Sequence, residues 1–244
     1  MPLAAAGGTL TAVAVIFCVF LPRLNQHPAE VPDHLQKDVQ VATEAGQRAL
    51  AEGNFFIAAR ELKAAAPHPG DDRAPAELRR LEQLRRQADL LARLHGRSLQ
   101  EVLGEALPLR SDEEWKGRFH SQHLGKGVIF DDVVSIDRAG RPTLAVYRVS
   151  VGGESARVAL EDLRLLRRLP LDVPQRIVFG GQLSDLWRED GGGWAFRFDP
   201  DSGVLLTDVG AVAACLGPPD SELLAVLRRQ QQWLADLAAP GQAR

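Results

Sequence analysis

The stretch Val173-Pro174-Gln175-Arg176-Ile177-Val178-Phe179-Gly180-Gly181-Gln182-Leu183 reads as a β-strand over Arg176–Leu183. It sits in a region, beginning after Ser111, where glycines multiply and period-two alternation replaces helical spacing. Around it, strands are predicted over Trp115–His123, Gly127–Ile136, Leu144–Val151, Ala156–Leu160, Gly193–Phe198 and Val204–Thr207. Gly152-Gly153 suits a two-residue hairpin turn. Ala139-Gly140 and Asp199-Pro200-Asp201-Ser202-Gly203 are further turn signals. One helix is expected among the strands, from Glu161 to about Leu169. Another follows Pro218-Pro219, from Ser221 to Leu237, with Asp220 or Ser221 as its cap.

N-terminal to this region the spacing is helical. Asp33-x-x-Gln36 has a capping-box pattern, and Leu35, Val39, Ala42, Ala45 and Ala49 recur at three- and four-residue steps until Gly53-Asn54. A second helix runs from Phe55 to Ala66 and stops at Pro67, Pro69 and Gly70. A third is expected from Ala76 to His95. Its arginines pair with acids at i,i+4, as in Glu82 with Arg86 and Asp89 with Arg93, so they read as a solvated face. Ser98-x-x-Glu101 opens a fourth, closed by Pro108.

The first helix pair, about residues 36–70, resembles a single tetratricopeptide repeat. Gly46 and Ala49, the turn Gly53-Asn54-Phe55, and Ala58, Leu62 and Ala65 match that family's packing positions. The resemblance departs at Ala49, where the family usually places a large residue. It implies close helix packing and no peptide groove, since stacked neighbours build one. An ordinary helical hairpin uses the same small residues.

The β-rich stretch, about residues 111–215, resembles an OB-fold in the order of its elements. The matching pieces are Trp115–Ile136, the Gly152-Gly153 hairpin, the helix around Leu163–Leu169, and Val173–Leu183 in the place of the strand that bends around such barrels. The whole also resembles single-span, membrane-anchored bacterial proteins. An SH3-like barrel or an irregular antiparallel sheet accounts for the same order.

The 244 residues are 45% hydrophobic and 25% charged, with a net charge of -3. That balance excludes a disordered chain and a multi-span membrane protein. Two cysteines exclude a disulfide-stapled domain. Leu3 to Leu21 holds no charged side chain; as a helix it would reach roughly 28 Å, close to a bilayer's hydrocarbon thickness. No basic residue precedes the run, no small-x-small site follows it, and Phe17 argues against lipidation at Cys18. The expectation is therefore an uncleaved single-span anchor rather than a signal peptide. Arg23 and Lys37 lean toward a cytoplasmic body, but long domains translocate regardless of such charges. The reading favours an extracytoplasmic body.

The expected fold is α+β. A transmembrane or signal-like segment covers 1–22, a linker 23–33 and a helical domain 34–110. An antiparallel, barrel-like (OB-like) domain covers 111–217, and a C-terminal amphipathic helix and tail cover 218–244.

Candidate chemistry is sparse. His120-x-x-His123 with Asp131 and Asp132 is the nearest thing to a metal cluster, but an i,i+3 pair on a strand points to opposite faces. Asp199–Gly203 begins like a calcium loop yet lacks the later acidic ligand. No nucleophile elbow, Cys–His pair or phosphate-cradling loop appears. Cys215, between Ala214 and Leu216, reads as a buried, inert thiol. No cofactor is expected.

An OB-type single-stranded nucleic-acid site would draw on Phe119, Tyr147, Trp187, Trp194 and Phe196, with Arg148 and Arg197 beside them. Against it, Trp115 to Cys215 carries 13 basic and 13 acidic side chains, too balanced for phosphate binding. The expected function is a membrane-tethered, non-enzymatic protein-interaction or scaffold protein. A nucleic-acid module and an unrecognised enzyme are the alternatives.

Overall fold

Ile177, Val178 and Phe179 are consecutive and all fully buried, so the strand that carries them has apolar cover on both faces. The computed structural model describes residues 33–67, 73–109, 111–190 and 193–237, and shows how that cover is built. Five helices come first: α1 (Asp33–Ala51), α2 (Phe55–Ala64), α3 (Pro75–Ala92), α4 (Leu99–Ala106) and α5 (Asp112–Gln122). Strands β1 (Gly127–Ile136), β2 (Pro142–Leu144), β3 (Val149–Val151), β4 (Glu154–Val158), β5 (Gln175–Arg188), β6 (Trp194–Phe198) and β7 (Val204–Leu205) follow. Helices α6 (Val209–Leu216) and α7 (Ser221–Leu237) end the described chain.

The sheet order is β2-β1-β5-β6-β4-β3, with β7 on β5. The 14-residue β5 is the hinge of this sheet. Its first half pairs with β1 and β7; past an irregularity between Leu183 and Asp185, it pairs with β6. The edge strands β2 and β3 are joined by only Ala145–Arg148. Laid flat, six strands would set the edges about 24 Å apart. Four linking residues reach only about 17 Å. The sheet therefore curls into an open half-barrel.

Alternation along β5 divides the interior. Ile177 and Phe179 join a core with Phe130, Phe196, Phe198, Leu160, Leu163, α4 and α5. Both edge strands reach this core, through Leu144 and Val149, so it fills the concave side. Val178 joins a second core with Val204, Leu206 and residues of α1, α2, α3, α6 and α7. Two buried glutamines tie the outer helices to the sheet. Gln230 of α7 accepts the Val178 N–H at 2.6 Å and donates to the carbonyls of Val178 and Leu206. Gln87 of α3 accepts the N–H groups of Thr207 and Asp208.

Two glycines set approach distances. A Cβ on Gly46 would lie 2.6 Å from Leu62 Cγ, so α1 and α2 touch there only without a side chain. A Cβ on Gly180 would lie 2.6 Å from the Val128 carbonyl oxygen and 2.5 Å from Leu90 Cδ2, which fixes how closely α3 rides on the sheet.

Several expectations are corrected. Among the described residues no helix is long and apolar enough to cross a membrane, which overturns a transmembrane helix as part of the fold. The run Leu3–Leu21 behind that expectation lies outside the described residues. So do the linker before Asp33, the Gly191-Gly192 turn, the tail after Leu237, and the side chains of Asp33, Leu35 and Gln36.

The expected strand Trp115–His123 is helix α5. Ser111 caps it by accepting the Glu114 N–H, Asp112, Glu113 and Glu114 fill its first turn, and Trp115 and Phe119 are buried one turn apart. The expected helix Glu161–Leu169 is two short 3-10 turns, Leu160–Asp162 and Leu166–Arg168. The expected strand Leu144–Val151 is two strands on opposite edges of the sheet. A wholly antiparallel barrel is also overturned, because β4 and β6 run parallel and the curled sheet stays open. Helix α6 falls where the sequence predicts no element.

Candidate functional site

The open side of the half-barrel holds a cleft of about 390 Å³. Its walls are β2, β4 and the Asp137–Arg141 turn, with Tyr147, Arg148 and Glu161 at its margin. The loop Ala145–Arg148 crosses the gap and is pinned from two sides. From β1, the buried Asp132 carboxylate accepts the N–H of Val146 at 3.1 Å and of Tyr147 at 2.6 Å. From α4, Gln100 accepts the Tyr147 hydroxyl proton at 3.1 Å and donates to the Arg148 carbonyl at 3.0 Å. Those two amides are spent on Asp132 and cannot serve a strand ladder, which is why Leu144–Val151 breaks.

Charge in the cleft is nearly all internally paired. Arg141 binds Asp137, whose carboxyl is held below its usual range by the Arg141 backbone N–H, with its own burial opposing and the Arg141 guanidinium assisting. Arg157 binds Glu161 and Glu189. Arg148 is the exception: its guanidinium donates to the carbonyls of Leu144 and Tyr147, and it meets no carboxylate among the described residues. Tyr147 is half-buried, edge-on to Phe130 with ring centroids 5.8 Å apart. Burial raises its hydroxyl pKa, against the opposing pull of Gln100. Beside it Val146 is 76% exposed. Pro142 removes one N–H from the β2 edge, which discourages strand addition there.

The other binding candidates lie elsewhere. Phe119, Trp194 and Phe196 are core residues. Arg197 pairs with Asp162 and lies over the Trp187 ring at 5.2 Å. Of the candidate aromatic and basic residues, only Tyr147 and Arg148 share the cleft.

The four metal candidates are dispersed. His120 is exposed on α5, and Asp131 takes a two-point ion pair from Arg176. Asp132 serves the loop. His123 is buried against Trp115 and Phe119, and its Nδ1 lies 2.7 Å from Nε2 of His95. Among the described residues no group of three or more His, Cys, Asp or Glu side chains could hold a metal. Asp199–Gly203 is a turn closed by the Ser202 N–H on the Asp199 carbonyl. The half-exposed Cys215 thiol is pushed up to about 11 by burial, an unreactive state.

Gln100, Asp137, Arg141, Arg157 and His95 carry no sequence signal as a group: Asp137 with Arg141 and Arg157 with Glu161 are local pairs, while the contacts of Gln100 with Tyr147 and of His95 with His123 join segments far apart in the chain. Compared with known proteins, the chain matches no family model, no curated protein and no solved structure.

Proposed function

We propose that this protein is a non-enzymatic interaction module that takes a short acidic segment of a partner protein into the half-barrel cleft. The reading rests on Arg148, a cation without a carboxylate in a cleft whose two acids, Asp137 and Glu161, are already engaged. Its backbone is fixed before any ligand arrives, through Asp132 and Gln100, so little ordering entropy remains to oppose binding. Exposed Val146 beside it suits an aliphatic neighbour of the acidic residue. The core positions of Phe119, Trp194 and Phe196 leave, among the described residues, no run of exposed aromatics on the sheet for bases to stack on, which favours a protein partner over a single-stranded nucleic acid.

The test is fluorescence anisotropy on the full chain. The probe is a labelled extended peptide of alternating Asp/Glu and Leu/Val; a Lys-substituted version and a single-stranded oligonucleotide are the comparisons. A charge-assisted hydrogen bond worth about 1.5–3 kcal/mol predicts that Arg148→Ala weakens the acidic peptide about ten-fold or more. Equal affinity of Arg148→Ala and the parent chain for the acidic peptide, or tighter binding of the oligonucleotide, overturns the reading.

A further inference from the structure

His95 and His123 meet where α3, α4 and α5 end or begin. Their rings stack at 5.0 Å, and His123 is 1% exposed. The hydrogen bonds assign both tautomers. The Arg97 backbone N–H donates to His95 Nδ1 at 3.0 Å, so the His95 proton is on Nε2. That Nε2–H faces His123 Nδ1 at 2.7 Å, so the His123 proton is on its own Nε2. His123 Nε2 points at Glu105 Oε2 across 3.5 Å, too far for a hydrogen bond, and has no other partner. Glu105 is held instead by Arg97.

Both acceptor nitrogens of this array are therefore occupied. A further proton has to enter at His95 Nδ1, against the Arg97 N–H, or at His123 Nδ1, against the His95 N–H. Either way two N–H groups face each other and one contact opens. The groups around the pair are Arg97, Glu101 and Glu105 from α4 and its lead-in, Arg118 from α5, and Lys126 from the turn before β1. Arg97 already engages Glu105, so a new positive charge on His123 competes with it for that carboxylate.

The consequence reaches the cleft through α4. Arg97 and Glu105 contact the histidines from the two ends of this eight-residue helix. Gln100, in its first turn, holds Tyr147 and Arg148. Ser98 and Glu101 cap that same turn reciprocally. We propose that the His95–His123–Glu105 array is an acid-sensitive latch: proton uptake loosens the first turn of α4 and with it the loop that presents Arg148. The latch regulates the cleft and so rests on the binding function proposed for it. Burial first, then His123, Arg97 and Lys126, hold His95 below the ordinary histidine range. Burial, then Arg97 and Arg118, do the same for His123. The array is thus neutral near pH 7 and takes up its proton below the ordinary histidine range.

The experiment is a pH titration of the full chain from about 7.5 to about 5. Nuclear magnetic resonance follows the histidine rings and the Gln100 side-chain amide, while anisotropy follows the same acidic peptide. The expected result is a shared midpoint for His95, His123 and Gln100, and at least a five-fold loss of affinity in acid. In His95→Gln/His123→Gln, which keeps neutral polar side chains at both positions, the affinity should no longer change with pH. Rings that titrate without Gln100, unchanged peptide affinity in acid, or loss of the helical circular-dichroism signal near pH 5 would each overturn the latch. A peptide that fails to bind even at pH 7.5 overturns the cleft's binding function instead, and the linked shifts of the rings and Gln100 then decide the latch without it.

Discussion

The Asp132 carboxylate accepts the backbone N–H of Tyr147 at 2.6 Å, across a gap of fifteen residues in sequence, and so fixes the loop Ala145–Arg148 that joins the two edge strands. The same carboxylate accepts Val146 and Val133. Its burial, with 5% exposure, makes these bonds a structural necessity rather than a surface detail.

Asp132→Ala should therefore destabilise the fold by about 2–4 kcal/mol, since it strands the Val146 and Tyr147 amides. Thermal unfolding checks this. The peptide affinity at Arg148 should fall in the same variant at temperatures where it remains folded. A melting point within a degree of the parent would contradict the role given to Asp132.

Gln230→Ala removes three hydrogen bonds, two to Val178 of β5 and one to Leu206 just after β7, from a fully buried side chain. The Val178 N–H loses its acceptor, while the Val178 carbonyl keeps the Leu206 N–H. The expected loss is about 2–3 kcal/mol, read as a lower urea midpoint at unchanged slope. A Gln230→Glu variant should not rescue it, because a carboxylate accepts but cannot donate to the carbonyls.

Gly180→Ala should cost about 1–3 kcal/mol by overpacking, because the new methyl meets the Val128 carbonyl oxygen, which is backbone and cannot swing away. Adding Leu90→Ala should recover little of the loss for the same reason. Substantial recovery in the double variant, measured by denaturant unfolding, would show that Leu90 alone limits the approach.

Stability should fall in mild acid. His95 and His123 are both held below their ordinary value in the fold. In the unfolded chain they take up protons near pH 6.5. Their contribution is complete above that pH and is lost as pH drops from it through the lower folded values. Urea midpoints measured across this window should decline in the parent chain and flatten in His95→Gln/His123→Gln. A midpoint that rises on acidification in this window would refute the assignment.

Local spacing carried most of the helices. The Ser98–Glu101 capping box forms in both directions, α7 occupies Ser221–Leu237, and Gly152-Gly153 turns with φ of 59° and 90°. Each depends on groups within a turn or two of one another, so the sequence states them directly. Trp115, Phe119 and His123 lie where the sequence resembles strand grammar, yet Ser111 caps a helix there through the Glu114 N–H, and that local cap outweighs the strand-like spacing. Val209–Leu216 gave no signal, being small and apolar without periodicity.

The pairings that make the site are long-range. Tyr147 and Arg148 are legible as an aromatic beside a cation, but nothing adjacent says that they line a cleft while Trp194 and Phe196 are sealed inside. Asp132 is legible as a carboxylate, yet its use as a backbone acceptor depends on β2 leaving β1 just where the loop returns. The His95–His123 contact joins the ends of two helices across 28 residues. Neighbouring residues set helical period and turn chemistry through local sterics and hydrogen bonds. The curl of the sheet, and with it the cleft, follows from strand register and from the short link between the edge strands, and the histidine array from where α3 and α5 end beside β1, none of which a local pattern encodes.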